Sequence, residues 1–241
     1  MTYCVGLLLN DGIVMLSDTR TNAGLDNIAT YRKMFVFEEP GDRVIAIMTA
    51  GSLSVTQTAI AQLDEAMTDP EATPATSIML APSMLRVAEL IGKTLADVSS
   101  DISAKMDRLS ESVGASMIVG GQRKGGDMRM FLIYPQGNFI EATSDTPFLQ
   151  VGEHKYGKPI LDRVISPDTS LEDGKKAVLL SMDSTLRSNL SVGMPLDLVV
   201  IEKDQLRIAE QRRIEDRDEN FREISAAWSE ALRESFSKIR L

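Results

Sequence analysis

Residues 3–9 and 13–17 are apolar runs of strand length split by Asn10-Asp11-Gly12, a turn signature that predicts a β-hairpin at the start of the chain. Met34-Phe35-Val36-Phe37 and the run from Arg43 to Ala50 flank Glu39-Pro40-Gly41-Asp42 and predict a second hairpin, so four strands are expected within the first 50 residues. The period then changes. Ser52 is placed to cap a helix carrying Val55, Ala59, Leu63 and Met67 on one face. Ser83 is placed to cap a longer one carrying Met84, Val87, Ile91, Leu95, Val98, Ile102 and Met106.

Strands resume over 116–120, 128–134 and 138–142, with turns at Lys124-Gly125-Gly126-Asp127 and Pro135-Gln136-Gly137. Gly120-Gly121 is also read as part of a hairpin turn. A short helix is expected near 155–164, and Ser170-Leu171-Glu172-Asp173 resembles a capping box that opens a helix to about Arg187. Residues 196–201 and 205–208 are expected to form a last hairpin. From Glu210 onward, Ile214, Phe221, Ile224, Trp228, Leu232, Phe236 and Ile239 recur at helical spacings on a charged background. That stripe either docks on its own domain or makes a subunit contact.

The order ββββ-αα-βββ-αα-ββ segregates strands from helices, which predicts an α+β fold of antiparallel sheets with helices on their faces. Glycine-rich nucleotide loops are missing from it. At 241 residues and 43% hydrophobic composition the chain can bury a sizeable core. The formal charge of −9, with no basic run, argues against nucleic acid as a partner. One cysteine, Cys4, and one histidine, His154, are too few for a disulfide framework or a structural zinc site, and a reducing cytoplasm fits best. Apolar runs stay far below the roughly 18 residues of a membrane span. No basic stretch precedes them at the N-terminus, so the mature chain is expected to begin where the gene begins.

Thr2 follows the initiator Met, and small second residues permit Met removal, which would leave a threonine with a free α-amino group. A threonine hydroxyl needs a base to become a good nucleophile, and a terminal amine, with an ordinary pKa of roughly 7.7–8.0, can serve without any histidine. The first hairpin returns its second strand to Ser17-Asp18-Thr19-Arg20, bringing Asp18 toward Thr2. Lys33 opens the next strand, so an ammonium held by Asp18 can converge on the same sheet edge. Cys4 is expected to be a packed thiol, the thirteen methionines mostly core filling, and His154 a surface or interface residue.

Thr2, the segment Ser17-Asp18-Thr19-Arg20, Lys33 and Thr49-Ala50-Gly51-Ser52 resemble the N-terminal half of proteasome β-type subunits, which are N-terminal nucleophile hydrolases. Val151-Gly152, the helix over 170–187, Asn189 to Gly193 and the closing strand from Asp197 to Ile201 resemble the second half of that fold. Within the superfamily the sequence is most similar to the bacterial Anbu branch, the ancestral β-subunit. The cues are Met1-Thr2-Tyr3-Cys4-Val5-Gly6, the stretch from Ser17 to Gly24, the segment from Asp183 to Gly193 and the C-terminal extension.

The resemblance implies a four-layer αββα sandwich, with a β-subunit-like domain over 2–209 and a helical extension over 210–241, assembled into rings or spirals. It also implies roles: Thr2 as nucleophile, Lys33 lowering the pKa of its hydroxyl, Asp18 holding Lys33, and the Gly51 N–H as oxyanion donor. Thr21 and Thr49 would line the substrate site, and Asn189 and Ser191 would support the terminal amine. The interval from Asp18 to Lys33 is one residue shorter than the family's. Two further departures stand out. Asn189 occupies the place of an aspartate and cannot supply a negative charge, and Gly152-Glu153-His154 replaces a Gly-Ser-Gly whose serine would touch the amine.

The leading expectation is a cytoplasmic, self-compartmentalising threonine peptidase that needs no metal or organic cofactor. One alternative is a ring-like or spiral scaffold or peptide-binding chamber with residual amidase activity; another is hydrolysis of γ-linked or isopeptide bonds. The resemblance adds an ATP-grasp-like and a transglutaminase-like protein as possible partners.

Overall fold

Asn10-Asp11-Gly12 does join the first two strands, β1 (Tyr3–Leu9) and β2 (Gly12–Asp18), with Leu9 opposite Gly12 and Cys4 opposite Ser17. The computed structural model describes residues 2–22, 28–105 and 114–240. Met1, Ala23 and Gly24 of the resemblance, Met106 of the helical stripe and Leu241 lie outside the described residues. The chain continues through β3 (Arg20–Asn22), β4 (Ile28–Thr30), β5 (Met34–Glu39), β6 (Arg43–Gly51), α1 (Leu53–Thr68) and α2 (Met84–Lys105). There follow β7 (Ala115–Arg123), β8 (Arg129–Ile133), β9 (Phe139–Glu141), β10 (Phe148–Gly152), α3 (Lys158–Val164) and α4 (Leu171–Ser188). The last elements are β11 (Leu196–Glu202), β12 (Glu210–Ile214) and α5 (Glu219–Lys238).

Two five-stranded antiparallel sheets result, one ordered β10-β1-β2-β11-β12 and the other β5-β6-β7-β8-β9, while β3 and β4 pair by themselves. Each central strand is apolar on both faces because both are covered. In β2, Ile13 and Met15 face the opposite sheet, whereas Val14 and Leu16 face the helices; β6 divides likewise into Val44, Ala46 and Met48 against Ile45 and Ile47. The second sheet packs on α1 and α2 and the first on α3 and α4, which completes the αββα sandwich. No helix of the described residues is long and apolar enough to cross a membrane.

The helix starts follow the sequence with one change in chemistry. Ser83 Oγ accepts from the Arg86 N–H (3.1 Å) and Ser170 Oγ from the Asp173 N–H (3.2 Å). Ser52 sits at the N-cap of α1 but turns its hydroxyl to Ser54 instead.

Three readings need correction. Gly120 and Gly121 lie inside β7, not in a turn; a Cβ on Gly121 would stand 2.1 Å from the Val44 carbonyl of the neighbouring strand. The last hairpin is closed by Glu210–Ile214, not 205–208, because Asp204 and Leu206 take left-handed φ values of 65° and 50° and the Gln122 amide clasps Asp204 through two hydrogen bonds. Ile214 is therefore a buried strand residue, not the first position of the tail helix. Strand β10, unassigned from the sequence, adds to the free side of β1.

Candidate active site

The start of β1 is held on both sides. Across one edge the Tyr3 N–H donates to Asp18 Oδ1 (3.1 Å), and across the other the Thr2 carbonyl accepts from the Glu153 N–H (2.7 Å). The second contact requires Gly152. Its φ is +84°, and a Cβ there would lie 2.0 Å from the Thr2 carbonyl oxygen.

Asp18 is fully buried at the end of β2 and serves as the hub. Oδ1 also accepts from Lys33 Nζ (2.7 Å), and Oδ2 from the Gly193 N–H (3.2 Å) in the loop after α4. Burial pushes the Asp18 carboxyl up from its ordinary value, while the Lys33 ammonium and then the two backbone N–H groups pull it back down. Lys33, 5% exposed, gives a second hydrogen to the Arg20 carbonyl (2.6 Å). An ammonium has three donors, so one remains for the cavity beside it. Thr49 fixes the Lys33 backbone, its N–H donating to the Lys33 carbonyl at 2.9 Å.

That cavity has a volume of about 350 Å³, and its walls include Thr2, Thr21, Lys33, Thr49, Gly51 and Gly152. Asp18 stands behind Lys33 rather than on the wall. Gly51 ends β6 with φ +108°, where a Cβ would meet the Gly114 carbonyl at 2.4 Å. Leu53 and Thr56 of α1, which carried no signal in the sequence, also line the cavity. A larger cavity of about 530 Å³ lies between α4, β12 and α5 and shares no lining residue with the first. The reactive groups identify the smaller one as the candidate site.

Around it, Asn189 caps the end of α4 and Ser191 donates its N–H to Asn189 Oδ1 (2.9 Å). The Ser191 side chain makes no hydrogen bond among the described residues. His154 is exposed, its Nδ1 3.3 Å from the Gly152 carbonyl. Cys4 is buried with Sγ toward the Thr49 carbonyl, and burial pushes its thiol well up. Tyr3 was missed as a supporting residue: its buried hydroxyl accepts from Gln150 and bonds Ser181, both at 2.6 Å, and burial pushes the phenol up to about 12.

Comparison with known proteins gives a consistent result. The model of the family described as proteasome subunit matches residues 2–201. A proteasome subunit beta 2 from Pyrobaculum calidifontis is 27% identical over 206 residues, covering 84% of this chain and 90% of that protein. Among solved structures, Anbu (ancestral beta-subunit) from Yersinia bercovieri is 44% identical with a TM-score of 0.93, covering 99% of this chain and 98% of that one. An Anbu mutant from Hyphomicrobium sp. strain MC1 is 47% identical with the same TM-score, covering 100% and 99%. The Anbu complex from Pseudomonas aeruginosa, solved as a helical assembly, is 44% identical at a TM-score of 0.93, covering 99% and 97%.

Proposed function

The chain belongs to the Anbu branch of the proteasome subunit family, a proteasome-related hydrolase fold, and from that premise we propose that it is a self-assembling threonine amidohydrolase. The observation that carries this reading is the shared wall of one cavity by Thr2 and the Lys33 ammonium. Thr2, exposed by loss of Met1, attacks the carbonyl carbon of a peptide or isopeptide bond, and its hydroxyl proton passes to its own α-amine. The remaining N–H of Lys33 stabilises the threonine oxygen as negative charge develops there. Gly51 supplies its backbone N–H to the oxyanion of the tetrahedral intermediate. Collapse expels the amine product with a proton from the α-ammonium and leaves an acyl ester on Thr2. Water, deprotonated by the same amine, hydrolyses that ester. Thr21 and Thr49 line the path of the substrate.

Self-assembly is part of the proposal. The first half of α5 rests Phe221 and Ile224 on the domain, whereas Leu232, Phe236 and Ile239 are 50, 79 and 71% exposed. Such a row of apolar side chains at a chain end suits a contact between copies, and the Pseudomonas aeruginosa relative forms a helical assembly. A cytoplasmic setting suits the lone buried thiol.

Intact mass of the purified assembly, before and after incubation with a peptide epoxyketone, tests the chemistry. Such a reagent needs both the hydroxyl and the free amine. The expected result is a mass lacking Met1 and a single adduct that disappears in Thr2→Ala. A retained Met1 would rule out this nucleophile and leave the scaffold reading, in which the Thr2→Ala particle keeps its size and still retains peptide.

A further inference from the structure

Two polar side chains from separate segments, Glu153 after β10 and Asn189 at the end of α4, touch one another. Glu153 Oε2 accepts from Asn189 Nδ2 at 3.1 Å, and Glu153 Oε1 accepts from the Lys155 N–H at 3.3 Å. Asn189 Oδ1 is already taken by the Ser191 N–H, so the amide is orientated with its donor edge toward the carboxylate. An aspartate at 189 would set two carboxylates against each other. The neutrality of Asn189 thus follows from the charge at Glu153. Glu153 is also the residue whose N–H holds the Thr2 carbonyl, which ties its backbone to the nucleophile.

We propose that Glu153 supplies the carboxylate counter-ion for the α-ammonium of Thr2, with Asn189 as the residue that aims it. This rests on the amidohydrolase reading. When the Thr2 hydroxyl proton moves to the amine, the Glu153 carboxylate accepts a hydrogen bond from the new ammonium, and the proton transfer itself involves only the hydroxyl and the amine. Both residues are partly buried, so solvent screens the pair only in part. The other charged groups close to the start of β1 are Lys33 and Asp18, paired with each other, and Arg20, whose guanidinium lies against Gly193. His154 and Lys155 belong to the turn itself, and Arg187 at the end of α4 is engaged with Asp183. Only Glu153 among them is an acid without a basic side chain bound to it.

Glu153→Gln keeps an acceptor for Asn189 and removes the charge. Competitive acetylation of the assembly with trace acetic anhydride, read by mass spectrometry of the N-terminal peptide, gives the Thr2 amine pKa whether or not the enzyme turns over. The expected shift in E153Q is downward by about one pH unit, with the acid limb of epoxyketone adduct formation moving equally. E153Q/N189D restores the charge from the other side of the same hydrogen bond and returns both values. An unmoved amine pKa in E153Q, or a rate lowered equally at every pH, would overturn the assignment. Adduct formation that survives Thr2→Ala would sink the hydrolase reading instead, while the amine titration still decides the role of Glu153. A retained Met1 overturns both.

Discussion

Replacing Lys33 by Met leaves a carboxylate with no cationic partner at the most buried point of the site. Asp18 is fully buried, and the Lys33 ammonium is the largest influence opposing the upward push of burial on its carboxyl. Breaking a buried pair by removing one partner costs about 3–5 kcal/mol. The lower end applies here, because the Tyr3 and Gly193 N–H groups still donate to Asp18 and Met fills most of the volume of the lysine stem. A loss of about 3 kcal/mol at pH 7.5 is therefore expected for K33M.

The penalty depends on pH in a fixed sense. Without the ammonium, the folded-state pKa of Asp18 rises further above that of the unfolded chain, so the folded state binds the proton more tightly. Such a group destabilises fully above its folded pKa and not at all below its unfolded one. K33M should thus recover stability relative to the parent as pH falls from 7.5 toward the unfolded value of roughly 3.9. Urea midpoints for both proteins at pH 7.5 and 5, at one fixed protomer concentration because assembly contributes to stability, give the comparison. D18N/K33M carries neither charge and should be more stable than K33M at pH 7.5. A loss under about 1 kcal/mol, or a penalty equal at the two pH values, would refute the argument that the pair is buried and mutually dependent.

Gly152→Ala forces a side chain into a left-handed φ and against the Thr2 carbonyl, so it should lower stability by about 2 kcal/mol or more and abolish epoxyketone labelling; thermal denaturation and intact mass read the two effects. Cys4 is buried, with a thiol pushed upward, and should resist a thiol reagent such as iodoacetamide in the native protein but react at once in 6 M guanidinium. Truncation after Asp218 removes α5 while keeping Ile214 in its strand, and should reduce particle size by light scattering; an unchanged particle would remove α5 from the proposed contact between copies.

Most elements were legible because their signals are local. Asn10-Asp11-Gly12 sets the first hairpin, Ser83 and Ser170 start their helices, and the apolar stripe from Met84 to Val98 turns inward as its spacing requires. The errors have a common physical origin. Gly120-Gly121 looks like a turn by composition, yet both lie within a strand, and the neighbouring strand leaves no room for a Cβ on Gly121. Strand β12, Glu-Gln-Arg-Arg-Ile, is a sheet edge, and edge strands carry charge that hides them from a hydrophobicity pattern. The strand expected over 205–208 is interrupted by the left-handed backbone at Leu206. At the site, Thr2, Asp18 and Lys33 came from one hairpin and its successor. What could not be read were contacts between residues far apart in the sequence: Gly193 on Asp18, Glu153 on Thr2 and Glu153 on Asn189.

Those distant contacts explain how Thr2, the proposed nucleophile, can be placed with precision. Termini fray unless tied down, and here the Tyr3 N–H and the Thr2 carbonyl are each tied to a different neighbouring strand or the turn beyond it. The peptide unit after Thr2 is therefore fixed at both its polar atoms. The groups proposed to act on the hydroxyl, Asp18 and Lys33, come from the first sixth of the chain, while those proposed to act on the amine come from residues 153 and 189. Asp18 meets β1 from the side of β2 and Glu153 from the side of β10. A substitution at Glu153 can then change the charge near Thr2 while leaving the Asp18–Lys33 pair in place.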